Sequence, residues 1–157
     1  MDLTFPIADG VFNVRVCAVF LHEKKLLAMR DERSPYYYLP GGRVQLYESF
    51  EDAMRRELRE ELELNATLVR PLWLLQSLFV EDVQKKRFHE LCLYYLAEPD
   101  ETLLKRGESF LHQERTHTQR FVWLPLDRLK DEYFYPLFLK EEIFHLPEQL
   151  QLLFMEE

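Results

Sequence analysis

Arg56-Glu57 and Glu60-Glu61 stand in the stretch RRELREELEL (55–64), where like charges fall one helical turn apart and repel. On composition alone such a run reads as a solvated, salt-bridged helix face. A helical wheel at about 100° per residue argues otherwise. Phe50, Ala53, Met54, Leu58 and Leu62 form one apolar arc, and Asp52, Arg55, Arg59 and Glu63 lie opposite. Glu57 and Glu61 fall inside the apolar arc, with Glu60 at its edge. Two ionised carboxylates about 4 Å apart repel by about 4 kcal/mol at an effective dielectric of about 20. Glutamates turned toward the protein therefore require a cation, a proton or a buried arginine. Ligands that are all oxygen, carboxylates with backbone carbonyls, suit a hard divalent ion, Mg²⁺ first and Mn²⁺ second. No Cys or His spacing suggests zinc, and His112 and His117, five apart in a polar stretch, are expected as surface histidines.

The elements that must position this helix are legible around it. Ser49 fits an N-cap, with the acidic Asp52 three positions on, and the helix is expected from Phe50 to about Leu62. Before it, residues 13–21 and 25–30 read as a hairpin, and SPYYYLPGG (34–42) reads as an aromatic strand ended by Pro40 and two glycines. Gly41 and Gly42 offer positive φ or close approach to a ligand. After the helix, residues 67–80 and 87–98 read as strands joined by the turn EDVQKK. Residues 100–119 read as a polar loop, QRFVWLPL as a last strand, and Pro136 as the start of a closing helix ended by Pro147. Strands on both sides of a central helix, with a second helix at the C-terminus, give an α/β or α+β sandwich. The 157 residues suit one domain, 1–157.

Composition narrows the function classes. A hydrophobic content of 47% excludes a disordered chain, and no apolar run reaches a membrane span. A net charge of −8 disfavours nucleic acid as a partner, because that affinity comes mainly from Lys and Arg on phosphates. A small phosphorylated ligand held through a divalent cation remains compatible with it. The opening MDLTFPIADG carries Asp2 where a secretory leader carries Lys or Arg, so a cytoplasmic protein is expected. Cys17 and Cys92, each inside a strand-like run, are expected as core thiols rather than a disulfide or metal pair.

With these residues in place the chain resembles the Nudix hydrolases, whose box is G-x5-E-x7-R-E-U-x-E-E-x-G-U with U a bulky aliphatic residue. Gly42, Glu48, Arg56-Glu57-Leu58, Glu60-Glu61 and Leu64 reproduce it at the same spacing over residues 42–64. The resemblance implies an α/β/α sandwich with a mixed β-sheet and a loop-helix-loop catalytic motif. It further implies Glu57, Glu60 and Glu61 as metal-binding carboxylates with the Gly41 carbonyl as a further ligand, and Glu57 also as general base. Arg56 with Glu48 is implied as a supporting ion pair. The implied reaction is Mg²⁺-dependent hydrolysis of a phosphoanhydride by water. One box position departs, since Glu63 stands where the family has its second glycine. A left-handed residue there costs roughly 1 kcal/mol, so the helix is expected to run on to Asn65, the next tolerant residue.

Outside the box, Glu108 and Glu114 are candidates for a further carboxylate, with His89 and Glu90 as an alternative. Tyr37, facing away from Tyr36 and Tyr38 in an extended segment, and Arg15 are candidates for substrate contacts. ADP-ribose hydrolases of the family tend to carry a proline about fifteen residues past the box, where this chain has Phe79, and dinucleoside polyphosphate hydrolases a tyrosine slightly further on, where it has Val80, Glu81 and Asp82. What remains is a MutT-like hydrolase of a nucleoside triphosphate or another nucleoside diphosphate derivative, as monomer or homodimer. The competing readings are a Nudix-fold nucleotide sensor without turnover and an isoprenoid diphosphate isomerase. The second needs a catalytic cysteine that Cys17 and Cys92, in buried-looking strands, do not supply.

Overall fold

The computed structural model describes residues 1–157. Its spine is strand β2 (Gly10–His22), whose alternation sends Val16, Ala18 and Phe20 to one face and Cys17 and Val19 to the other. β2 pairs in parallel with β6 (Arg87–Glu98), which pairs antiparallel with β5 (Thr67–Val80), and β9 (Gln151–Glu156) joins β5 in parallel. On the other side β3 (Lys25–Asp31), β8 (His117–Pro125) and β7 (Ser109–Glu114) extend the sheet antiparallel. β1 (Thr4–Ile7) and β4 (Gly41–Arg43) pair with β2 off the main path. The sheet is therefore mixed.

Helix α1 (Phe50–Leu62) closes one face, burying Ala53, Met54, Leu58 and Leu62 against Val16, Ala18, Phe20, Leu27, Met29 and Phe121. A 3₁₀ turn (Leu126–Asp131) and α3 (Leu139–Glu142) cover the other through Leu129, Phe134, Phe138, Leu139 and Ile143, packed on Trp73, Leu75 and Tyr94. The result is the three-layer α/β/α sandwich. No helix is long and apolar enough to cross a membrane. Cys17 and Cys92 are free and buried, as expected of core thiols.

The feature that shapes the site is a split in the sheet. β2 bonds β3 only at the turn end, Leu21 to Leu26 and His22 to Lys25, and the two strands then diverge. The chain from Tyr38 to Arg43 fills the gap. Tyr38 exchanges backbone hydrogen bonds with Met29, the Ala18 N–H donates to the Pro40 carbonyl at 2.8 Å, and β4 runs beside Arg15–Cys17. A Cβ on Gly41 would lie 2.2 Å from the Val16 carbonyl oxygen, and one on Gly42 would lie 2.3 Å from the Glu57 carboxyl carbon. Neither glycine has positive φ. Their need is close approach, not left-handed backbone.

Several expected elements differ. The aromatic part of the stretch, 34–40, makes only isolated bridges, at Tyr37 and Tyr38, because Pro35 and Pro40 offer no ladder N–H, and regular pairing starts only at Gly41 in β4. The expected polar loop 100–119 contains α2 (Glu101–Leu104) and edge strand β7, whose outward polar residues hide an inward Phe110 stacked on Phe121 at 5.2 Å. The closing helix shrinks to α3, and the chain returns as β9 against β5. Helix α1 ends at Leu62 rather than running on to Asn65, with Glu63 itself left-handed at φ 54° and ψ 36°. The compensation is the next residue: the Leu64 N–H returns to the Leu58 carbonyl at 3.2 Å and the Leu64 side chain is buried. Burial of that size contributes roughly 1.5–3 kcal/mol, more than the strain of about 1–2 kcal/mol.

Candidate active site

Ser49 starts α1 by accepting from the Asp52 N–H at 3.0 Å, which places the glutamates over the split. Their burial follows the wheel: Glu61 is 6% exposed, Glu57 is largely buried, and Glu60 lies at the edge with 49% of its side chain exposed. Arg56 ties the array to the preceding loop. Its Nε donates to Glu48 Oε2 at 2.7 Å, Nη2 to Glu48 Oε1 at 2.9 Å and to the Arg43 carbonyl at 3.0 Å, and Nη1 to Glu57 Oε1 at 2.9 Å. Glu48 also accepts from the Gln45 N–H at 2.9 Å, so the loop between β4 and α1 is held at both ends. This bidentate pair is the strong form of an ion pair. Chiefly through Arg56, Glu48 is held below the usual carboxylate range.

Glu57 and Glu61 move the other way. Burial pushes Glu57 up against the opposing pull of Arg56, and pushes Glu61 well up, with the charges of Glu57 and Glu114 adding to it. Glu61 Oε2 is buried with no hydrogen-bond partner. A buried unpaired carboxylate oxygen costs about 1–3 kcal/mol or more, and a cation or a proton would offset it. The donor set fits a hard divalent ion: carboxylates of Glu57, Glu60 and Glu61 and the nearby Gly41 carbonyl, all oxygen. As placed, no three carboxylate, histidine or cysteine side chains converge on one point. Glu57 and Glu60 are turned onto Arg56 instead.

The remaining candidates separate. Glu114, at the end of β7, comes close enough to Glu61 to raise it. Glu108 does not join the site; it is exposed and paired with Lys25 Nζ at 2.8 Å, because β7 starts beside the β2–β3 turn and only ends near α1. Arg15 lies between Glu90 and the two cysteines; burial lowers it, but the Glu90 charge leads the effects that leave it raised and charged. Tyr37 packs into the core on the face of the sheet opposite α1. Its backbone is bonded to Tyr133 and Tyr135, and its ring lies beneath the Arg30 guanidinium at 4.9 Å. Tyr36 instead joins Tyr38, Tyr133 and Tyr135, whose hydroxyls both donate to Asp82. Of the alternatives, His89 meets Gln76 at the surface, while Glu90 is buried and accepts weakly from Asn13 Nδ2 at 3.4 Å.

Sequence reasoning missed Asp31, and between the two sides of the tyrosine segment it chose Tyr37 where the structure turns Tyr38 toward Glu61. Asp31 is buried at the end of β3 and accepts from the Arg33 N–H and guanidinium and from the Tyr38 hydroxyl at 3.2 Å. Tyr38 in turn feels the charges of Asp31 and Glu61, so this pair forms the wall beside Glu61. The signal available was parity: Asp31 continues the Leu27, Met29 alternation onto the α1 face.

A mixed sheet between helical layers carries a glycine loop that leads into a helix whose glutamates turn inward, which a solvated charged helix does not do. The model of the NUDIX domain matches residues 11–143, and the chain belongs to the Nudix family of hydrolases. Solved structures share the fold. An ADP-ribose pyrophosphatase from Streptococcus suis is 19% identical with TM-score 0.53, covering 91% of this chain and 98% of that one. A MutT NUDIX hydrolase from Burkholderia pseudomallei is 24% identical with TM-score 0.50, covering 74% and 84%. A MutT protein from Bacillus halodurans is 13% identical with TM-score 0.62, covering 92% and 89%. No curated protein matches at a significant level.

Proposed function

We propose that this chain is a Mg²⁺-dependent pyrophosphohydrolase, acting in the cytoplasm as a single domain over 1–157. Its substrate is a nucleoside triphosphate or another nucleoside diphosphate derivative, cleaved at the phosphoanhydride. The observation that carries the reading is Glu61, an inward carboxylate with an unpartnered oxygen beside a second inward carboxylate, Glu57. Glu60, Glu61, Glu57 and the Gly41 carbonyl would hold the ion, for which Mn²⁺ is an alternative. A divalent ion bound there neutralises phosphate charge and lowers the pKa of a bound water. Glu57 is the base that would take the water's proton. Arg56 and Glu48 hold Glu57 in place, while Arg15, charged and near the glutamates, attracts the phosphates. The names of two neighbours, a MutT protein and an ADP-ribose pyrophosphatase, support this reading of the substrate class.

The test is release of phosphate or pyrophosphate from nucleoside triphosphates, nucleotide sugars and related diphosphates, with Mg²⁺ and with chelator. Metal-dependent turnover should fall about 100-fold or more in Glu57→Gln, as for loss of a catalytic base. Binding without turnover on the whole panel would replace the hydrolase by a nucleotide sensor.

A further inference from the structure

Cys17 in β2 and Cys92 in β6 lie on adjacent parallel strands, two residues off register and so on the same face, since Arg15 is the partner of Cys92 and Tyr94 that of Cys17. Their side chains lean together on the same face, and the Cys92 thiol donates to Cys17 Sγ at 3.6 Å. A disulfide needs the sulfurs at about 2.05 Å, so they must close by about 1.5 Å, and because diagonal neighbours on paired strands stand about 7–8 Å apart, the backbone at Cys17 must move with its sulfur. These are the chain's only two cysteines, which leaves each sulfur one intramolecular partner. Core packing alone does not require two sulfurs to meet, as any small apolar side chain fills such a place.

The pair touches the loop of the candidate site. A Cβ built on Gly41 would lie 2.9 Å from Cys17 Sγ and 2.8 Å from Cys17 Cα, so the β4 backbone is seated directly on this side chain. Moving Cys17 Sγ toward Cys92 withdraws the surface on which Gly41 rests, one residue from the Gly42 that packs on Glu57. Cys17 is 7% exposed and Cys92 1%, so a small oxidant reaches Cys17 first.

We propose that Cys17 and Cys92 form a reversible modification site, a dithiol that a hydroperoxide converts to a disulfide and that thereby repositions the Gly41–Gly42 loop. Cys17 sulfur attacks one peroxide oxygen; the O–O bond breaks, the other oxygen leaves as water or alcohol with the thiol proton, and Cys17 becomes a sulfenic acid. Cys92 sulfur then attacks Cys17 sulfur, the S–O bond breaks, and the hydroxyl leaves as water with the second thiol proton. The two cysteines lose two electrons and the peroxide gains them. A dithiol reductant reverses the change. The link to the loop rests on the site proposed above; the disulfide itself does not.

The experiment exposes the full chain, fully reduced and then freed of reductant, to hydrogen peroxide in stoichiometric steps. Intact mass is expected to fall by about 2 Da, with a crosslinked peptide pair spanning Cys17 and Cys92, while Cys92→Ser shows no such loss. Hydrolysis and the Mg²⁺-induced rise in melting temperature are read in parallel. Both are expected to drop at least about 10-fold and about twofold respectively in the oxidised form, and to return with dithiothreitol. Two thiols still titrating after oxidation, or mass gains of oxygen without the crosslink, overturn the disulfide. A crosslink that leaves the Mg²⁺ response unchanged overturns its coupling to the loop, whatever the substrate proves to be.

Discussion

Replacing Glu61 by glutamine removes a charge and keeps the shape, which makes it the sharpest probe of the inward carboxylates. In the metal-free protein Glu61 is buried, one of its oxygens has no partner, and Glu57 and Glu114 add like charge. The glutamine amide is still a buried polar group, but it carries no charge to desolvate or to repel Glu57 and Glu114, a difference worth about 1–3 kcal/mol. At about 2–4 °C per kcal/mol for a chain of this size, Glu61→Gln should melt roughly 2–12 °C above the wild type in chelator. Mg²⁺ closes most of this gap or reverses it. Saturation at about 100 times Kd stabilises the wild type by about 2.7 kcal/mol, and the variant, lacking a ligand, gains a small fraction of that. The pH dependence follows from the direction of the shift. Glu61 has a folded pKa above its ordinary value of 4.5, so its ionisation opposes folding, and the wild type loses stability as pH rises from there through the folded value. The gap to Glu61→Gln in chelator is therefore smallest at acid pH and opens with rising pH. Differential scanning calorimetry across pH, with and without Mg²⁺, reads all three effects. A variant that melts below the wild type in chelator and keeps the full Mg²⁺ shift refutes the reasoning.

Other sites yield further expectations. Gly42→Ala puts a methyl 2.3 Å from the Glu57 carboxyl carbon, so hydrolysis should fall about 100-fold with circular dichroism little changed; full activity would mean the close approach has no role. Glu63→Gly relieves the left-handed strain at the end of α1 and should raise stability by about 1 kcal/mol, about 2–4 °C in melting temperature. Glu48 is held down chiefly by Arg56, so its contribution is present above pH 4.5 and lost as pH falls through the lower folded value. Glu48→Gln should flatten the acid limb of the stability curve, and an unchanged limb would show that the pair does not contribute to it.

Local spacing carried much of this protein. The inward turn of Glu57 and Glu61 followed from a 3.6-residue period, because a helix fixes which side chains share a face whatever it packs against. The Ser49 cap, the strands from 67 and 87, and the box from Gly42 to Leu64 were likewise legible, since each depends on neighbours within a few residues. The rest depended on contacts between distant segments. Glu108 and Glu114 look alike in sequence, yet the register of β7 sends one to Lys25 and the other toward Glu61. β9 pairs with β5 across more than seventy residues, a partnership with no local signature. Glu63 adopts a conformation its own type disfavours because Leu64 is buried one residue later. The split between β2 and β3 makes Gly41 and Gly42 a seat for Glu57, and it brings Cys17 against Cys92 and the loop at once. The sequence by itself determined which side chains turn inward, because helix and strand periods are local. Only the tertiary structure decided what they meet there, because burial and pairing energies are set by residues far apart in the chain.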